Sequence, residues 1–300
     1  MVVTDLLGRM AEVFLERATG AARSGENVLG DMRRTLSFLR GRLAFRPRED
    51  DVYVVSYPRS GTTWMQLLLH RLAGRDDLDF THISEVSPWF ERSLAIGTMD
   101  AADFERFSSP RIMKSHLPYG WLPRAGRVVY VWRDGRDVAV SYFHFYCSHL
   151  GYGDDFGAFF ERFLRGDLQY RSWFDHVAGW MAHGSDPEVL VIRYEELHEN
   201  PAQVLRRVAA HVGMTVSEER LARVIAETSF EAMKGQESKF DHATALLLER
   251  RRAPHGFLRR GLTGEGAVTL QEGHRAAFDE RLRAAAQRPA REVRLPAFLH

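Results

Sequence analysis

The densest chemistry in this sequence is YPRSGTTW, residues 57–64. A β-branched apolar run stops at Pro58. Arg59, Ser60, Gly61, Thr62 and Thr63 follow, and helix formers begin at Trp64. A short turn between a strand and a helix N-terminus is an anion site, because free N–H groups of the first helical turn point outward and the helix dipole favours negative charge. Gly61 lets the backbone come close to the anion. The hydroxyls add donors, and Arg59 adds a planar cation suited to phosphate or sulfate oxygens. Compared with the G-x-x-x-x-G-K-[ST] loop that holds nucleoside triphosphates, this turn is shorter and lacks the first Gly. Thr62 stands where the Lys would be. A phosphate fits better here than a triphosphate held with Mg²⁺. A second cluster lies in VVYVWRDGRDVAVSYFHF. A buried strand ends at Arg133, and Ser141 sits two turns into the next helix. Both can face the carboxyl edge of a sheet, where open α/β folds bind ligands. An Arg and a hydroxyl there suit a second phosphate; the alternative is a salt-bridge set among Arg133, Asp134, Arg136 and Asp137.

Strands and helices must alternate to present these residues. DVYVVSY, RIMKSH, GRVVYVWRD and EVLVIRYEEL read as strands, the last leading into a turn. Helical patterns fill TTWMQLLLHRLA, GRDVAVSYFHFYCSHL, Phe156–Leu164, Leu168–Ala182, Pro201–Val212 and Ser217–Ala226. This predicts a single α/β domain, a central parallel sheet flanked by helices, with a P-loop-like anion-binding turn. Residues 1–48 form a helical lead-in and 49–300 the main domain. Leu6, Leu7, Met10, Val13 and Phe14 recur at helical spacing, and a second piece spans Met32–Leu43. The lead-in either packs on the domain surface or makes a peripheral contact with lipid or a greasy substrate. From Lys234 to Gly266 the periodicity fades, which predicts a long irregular segment.

Composition narrows the function classes. The chain has 300 residues and a formal net charge of +1, so no polyelectrolyte attraction to nucleic acid is expected. The basic run ERRRAPHGFLRRG has no wider basic surface to join, and Arg250, Arg251 and Arg252 read as solvated. A single cysteine, Cys147, forbids an intrachain disulfide. No Cys/His set has zinc-ligand spacing. Asp5, Arg9 and Glu12 interrupt any signal-peptide core, and no run approaches the roughly 18 apolar residues of a membrane span, so a cytoplasmic protein is expected.

The motifs YPRSGTTW, KSHLP, YVWRDGRDVAVSYFHFY, RYEEL followed by NP, TSFEAMK and FLRRGLTGEG occur in the order and rough spacing seen in cytosolic sulfotransferases. The chain resembles that family from about Asp51 to Phe278. The resemblance implies transfer of a sulfonate from 3'-phosphoadenylyl sulfate (PAPS) to a hydroxyl or amine, leaving adenosine 3',5'-bisphosphate (PAP), with no metal. It implies that Arg59, in place of the family's lysine, supports the 5'-phosphate and the leaving oxygen. Ser60, Gly61, Thr62 and Thr63 match the 5'-phosphosulfate loop, and Trp64 the ring that stacks on adenine. Arg133 and Ser141 match the 3'-phosphate pair, while Tyr194, Thr228, Phe230 and Met233 match the adenine contacts. Arg259, Arg260 and Gly261 match the late clamp on the 3'-phosphate. Lys114 and His116 match the catalytic pair. Chemistry supports His116 independently, because a neutral imidazole with a reference pKa of about 6.5 suits removal of a hydroxyl proton at neutral pH. Lys114 and Arg59 are placed to stabilise charge on the sulfuryl and bridging oxygens.

Three departures stand out. Arg59 replaces the lysine. Gly266 and Glu265 stand where the family's G-D-W has Trp and Asp. The family's dimer motif has no match in AVTLQEGHRAAF, so the oligomeric state stays open. Trp89, Phe90, Tyr119, Phe143 and Tyr146 are the expected aromatic walls of an acceptor pocket, or core residues. They point to a small-molecule hydroxyl acceptor that is hydrophobic or aromatic: a phenol, lipid or natural product. Two rival readings are a phosphotransferase using a nucleoside triphosphate and a non-catalytic binding protein.

Overall fold

The computed structural model describes residues 28–75, 80–241, 256–287 and 295. Four strands, β1 (Val52–Val55), β2 (Ile112–Ser115), β3 (Arg127–Trp132) and β4 (Val189–Arg193), form one parallel sheet in the order β2-β1-β3-β4. The helices are α1 (Val28–Ala44), α2 (Thr62–Leu72), α3 (Phe90–Ile96), α4 (Gly135–Phe145), α5 (Phe156–Arg165) and α6 (Trp173–Met181). They continue with α7 (Tyr194–Glu199), α8 (Pro201–His211), α9 (Glu218–Glu227), α10 (Phe230–Lys234), α11 (Glu265–Thr269) and α12 (Glu272–Ala286). The fold is the expected single α/β domain.

Both faces of the sheet are covered, which is why β1 is apolar at every position. Val52, Val54, Val129 and Val131 pack with Met65, Leu68 and Leu69 of α2, Val204 and Leu205 of α8, and Leu221 of α9. Tyr53, Val55, Val128 and Tyr130 face the other way, against Phe38 and Leu39 of α1, Phe90 and Leu94 of α3, and Trp180 of α6. A third apolar cluster joins α4, α5, α6 and α12 through Tyr142, Phe159, Phe163, Trp173 and Phe278. Opposite the ends that build the site, the Arg111 guanidinium pairs with the Asp51 carboxylate at 2.6 and 2.8 Å, both fully buried.

Several elements depart from the sequence reading. The helix expected over Leu168–Ala182 begins only at Trp173: Arg171 takes a left-handed φ of 61° and Ser172 caps the helix by accepting from the Asp175 N–H. RYEEL is not a turn but the start of α7. After α4 the chain runs through a π-helical turn, Tyr146–Leu150. Within the stretch expected to be irregular, residues 242–255 lie outside the described residues, as do Arg250–Arg252. Its late end starts α11. The first apolar piece of the lead-in, Leu6 to Phe14, is also outside them. The second is α1, which is seated in the core.

Candidate active site

All four strands end at the same edge of the sheet, and the candidate residues lie just beyond those ends. β1 runs into Ser56–Gly61, β2 into His116, β3 into Arg133 and β4 into Tyr194. Together they line a cavity of about 520 Å³. Its walls include Arg59, Gly61, Thr62, Thr63, Trp64, Trp89, Lys114, His116, Arg133 and Ser141. Tyr194, Thr228, Phe230, Met233, Arg259, Arg260 and Gly261 also line it, whereas Ser60 of the expected set does not.

The turn after β1 is built by local geometry. Arg59 and Gly61 both have positive φ, 69° and 91°. A Cβ on Gly61 would lie 2.5 Å from the Tyr194 ring, so the loop closes against α7 only with glycine there. The Thr62 hydroxyl meets the Ser56 hydroxyl at 2.5 Å, tying the first turn of α2 to the end of β1. Ser60 is fully buried and its Oγ has no hydrogen-bond partner among the described residues.

Arg59 does not point into open space. Its Nε donates to Ser141 Oγ at 3.2 Å and a terminal nitrogen donates to the Phe257 carbonyl at 2.9 Å. The guanidinium lies between the Phe145 and Phe257 rings, 5.3 and 5.0 Å from their centroids. Burial, with Arg133 and Arg259 nearby, lowers its pKa to about 10, which leaves it charged at neutral pH. The Arg133 guanidinium donates to the carbonyls of Arg59 (3.3 Å) and Leu262 (2.6 Å), and it lies 4.6 Å from the Tyr194 centroid. The two readings of the RDGRD stretch are therefore compatible. Arg133 pairs with Asp137 at 3.3 Å and Arg136 with Asp134 at 2.8 Å, while Arg133 still lines the cavity. Arg133 Nε, Arg259 Nε and Trp64 Nε1 are buried without an acceptor among the described residues.

His116 sits at the tip of β2. Its Nδ1–H donates to the Ser56 carbonyl at 2.7 Å, which assigns the proton to Nδ1 and leaves the Nε2 lone pair free. Its backbone N–H donates to Glu91 Oε1 at 2.8 Å, and its carbonyl accepts from His176 Nε2 at 3.2 Å. Burial, reinforced by Lys114, pushes the His116 pKa well below the usual value, so the ring is neutral. Lys114 Nζ lies 4.0 Å above the Trp89 ring. Burial pulls its pKa down to about 7, against the opposing pull of Glu91. Trp89 Nε1 donates to Glu91 Oε1 at 2.6 Å, so one buried carboxylate orients both Trp89 and the His116 backbone.

Four expected acceptor residues do not line the cavity. Phe90 is fully buried beside Phe45 and Phe104, because it follows Trp89 and points to the opposite side. Phe143 and Tyr146 share the face of α4 and its π-helical extension that packs on Phe159. Tyr119 stacks on His183 with centroids 3.5 Å apart and donates to Asp186. The aromatic wall is instead Trp89, Tyr142, Phe145, Tyr170 and Phe257. Tyr142 and Phe145 are the i, i+3 pair one helical step round from Phe143 and Tyr146, so the period was legible but not its phase. Sequence reasoning also missed Arg92 and Gln169, and it gave Asp137 only a place in a salt-bridge set. Among the described residues no group of three His, Cys, Asp or Glu could hold a metal ion, and no helix is long and apolar enough to cross a membrane.

A family model for the sulfotransferase domain matches residues 49–289. The chain belongs to the sulfotransferase family. Mouse sulfotransferase 2B1 is 34% identical over 245 residues, covering 77% of this chain and 70% of that protein. Human sulfotransferase 1E1 is 30% identical over 233 residues, covering 74% and 79%. Among solved structures, mouse sulfotransferase SULT7A1 complexed with PAP superposes with a TM-score of 0.68 at 26% identity, covering 85% of this chain and 90% of that one. Retinol dehydratase in complex with androsterone and PAP shares the fold, with a TM-score of 0.71 at 22% identity and coverage of 86% and 88%.

Against the sulfotransferase pattern, the late-loop departures have a physical account here. The Asp137 carboxylate accepts from the N–H groups of Gly264 (2.8 Å) and Gly266 (2.7 Å). A Cβ on Gly266 would lie 2.6 Å from the Arg136 backbone, so the loop packs directly on the start of α4 where a tryptophan could not fit. Glu265 pairs with both Arg259 and Arg260. Gly261 has φ 64°, and a Cβ there would lie 2.4 Å from the Phe230 ring. The late loop is thus fixed by one buried carboxylate and two backbone close approaches.

Proposed function

We propose that this sulfotransferase moves a sulfonate from PAPS to the hydroxyl of a hydrophobic or aromatic small molecule, with His116 as general base. The observation that carries the reading is the His116 ring. Its Nδ1 proton is committed to Ser56, and its Nε2 is left as the basic atom beside Lys114 in a cavity with two cationic clusters. The residues present fit the donor. Buried donors without an acceptor among the described residues, on Arg133 and Arg259, suit phosphate oxygens. Trp64, Phe230 and Met233 supply flat and apolar surface for a purine. SULT7A1, 26% identical to this chain, was solved with PAP bound, which supports the same donor here.

PAPS supplies the sulfonate when bound. His116 Nε2 takes the acceptor hydroxyl proton as the new O–S bond forms, and PAP leaves with the electron pair of the broken S–O bond. The Lys114 ammonium and the Arg59 guanidinium face charge that builds on the sulfonate and bridging oxygens, in a buried site where each interaction is stronger than in water. Arg133, Ser141, Arg259 and Arg260 would hold the 3'-phosphate. Tyr194 covers the phosphate loop, and Thr228 lines the purine side. The aromatic half of the cavity receives the acceptor. The deciding experiment is calorimetric titration with PAP beside 5'-AMP and ATP with Mg²⁺. Tight binding of PAP over both is expected; a preference for ATP with Mg²⁺ would overturn the donor assignment.

A further inference from the structure

The acceptor half of the cavity is aromatic, yet one cation stands in it that the transfer chemistry does not use. Arg92 lies on the first turn of α3 and lines the cavity with Trp89, Tyr170 and Gln169. Its guanidinium has no hydrogen bond or ion pair among the described residues. Its one close partner is the face of Trp89, 5.4 Å from the centroid. The charged groups around it come from three elements. Burial lowers the Arg34 pKa on α1, and the like charges of Arg33 and Arg92 add to it. Lys114 of β2 feels Arg92 as a like charge. The neighbouring carboxylate, Glu91, is fully buried, and its Oε1 is occupied by Trp89 and the His116 N–H. Tyr170 completes the surroundings, and Arg92 acts on its hydroxyl. Among the described residues, no ion pair joins Glu91 to Arg92.

Arg92 is half-buried and has no counter-ion among the described residues, so its planar fork is available to a carboxylate or a sulfate. We infer that the acceptor is a hydroxyaryl acid: an aromatic hydroxyl compound whose carboxylate pairs with Arg92 while its hydroxyl reaches His116. The inference rests on the sulfotransferase reading above and narrows its acceptor class. One ring ties the two ends together. Arg92 lies 5.4 Å from the Trp89 centroid and the His116 ring lies 5.0 Å from it, so a single hydroxyaryl acid laid along Trp89 can touch both. Arg92 is thus a specificity-determining residue, separate from the groups that hold the donor.

The test uses the full chain and three probes of one shape: 3-(4-hydroxyphenyl)propionate, its methyl ester, and tyramine. Sulfonation is followed with PAPS, and binding of each probe is titrated to the PAP-loaded protein. The acid is expected to exceed the ester in kcat/KM, or in affinity where turnover is slow, by about tenfold or more, since a charge-assisted bidentate pair is at stake. Arg92→Met should bring that ratio close to one, and Arg92→Glu should turn the preference toward tyramine. PAP affinity, read separately for each variant, should not move. Failure of wild-type PAP binding would sink the donor reading instead. An acid-to-ester ratio near one in the wild type, no binding of the acid at millimolar concentration, or an Arg92→Met effect equal across all three probes would overturn the role given to Arg92.

Discussion

Gly61→Ala tests the loop geometry most directly. Two costs add at this site. The backbone holds φ at 91°, in the left-handed region, where a residue with a Cβ costs about 1–2 kcal/mol. Reduced freedom of the unfolded chain returns about 0.4–1 kcal/mol of that. The second cost is steric: the new methyl would lie 2.5 and 2.7 Å from two atoms of the Tyr194 ring. Tyr194 cannot swing aside freely, because it is buried between Trp64 and the Arg133 guanidinium. Overpacking of this kind costs about 1–3 kcal/mol. Gly97→Ala separates the two costs, since Gly97 has φ 74° but nothing within 4 Å of its added Cβ. Thermal unfolding should show a small loss for Gly97→Ala and a loss larger by about 1–3 kcal/mol for Gly61→Ala. PAP titration should show affinity unchanged for Gly97→Ala and reduced about tenfold or more for Gly61→Ala, because the phosphate loop and Tyr194 must separate. Equal destabilisation by the two variants, with full PAP affinity in both, would refute the reasoning.

The remaining expectations concern charge and protons. His116→Ala should lower kcat by about 10²–10⁴-fold while PAP still binds; retained turnover would remove His116 as the base. Because burial lowers Lys114 to about 7 in the free enzyme, kcat/KM should fall as pH rises through about 7, as the ammonium is lost. That limb should shift upward in the kcat profile, where the donor's negative charge favours the protonated amine, and it should vanish in Lys114→Met. His116, held neutral below its usual range, should place the acid limb under the ordinary histidine pKa. Arg133→Ala should cost PAP binding about 1.5–3 kcal/mol, read by calorimetry, with acceptor affinity far less affected; equal loss for both ligands would indicate misfolding. Asp137→Asn weakens the hold on Gly264 and Gly266, so PAP dissociation, followed by stopped-flow fluorescence, should speed up.

Legibility in the sequence followed the range of the interactions. YPRSGTTW announced an anion loop because strand end, glycine and helix start are contiguous, and the described loop has that form. The helix expected at Leu168 was misjudged because a left-handed Arg171 and the Ser172 cap break it, and apolar spacing carries no sign of either. Phe90, Tyr119, Phe143 and Tyr146, expected at the cavity, pack elsewhere. Aromatic residues one position apart on a helix turn to different neighbours, and composition does not say which neighbour is the core.

By itself the sequence determined the fold class and the family, and it named many of the residues that line the cavity, because each rests on motifs whose parts are a few residues apart. Tertiary structure alone decided which rings face the cavity and that Arg59 reaches Ser141. It also decided that Asp137 seats a loop 127 and 129 residues away and that Arg92 has no counter-ion among the described residues. Those facts depend on how α3, α4 and the late loop are rotated and docked against one another. That docking is set by burial across the whole core, and a local pattern of residue types does not contain it.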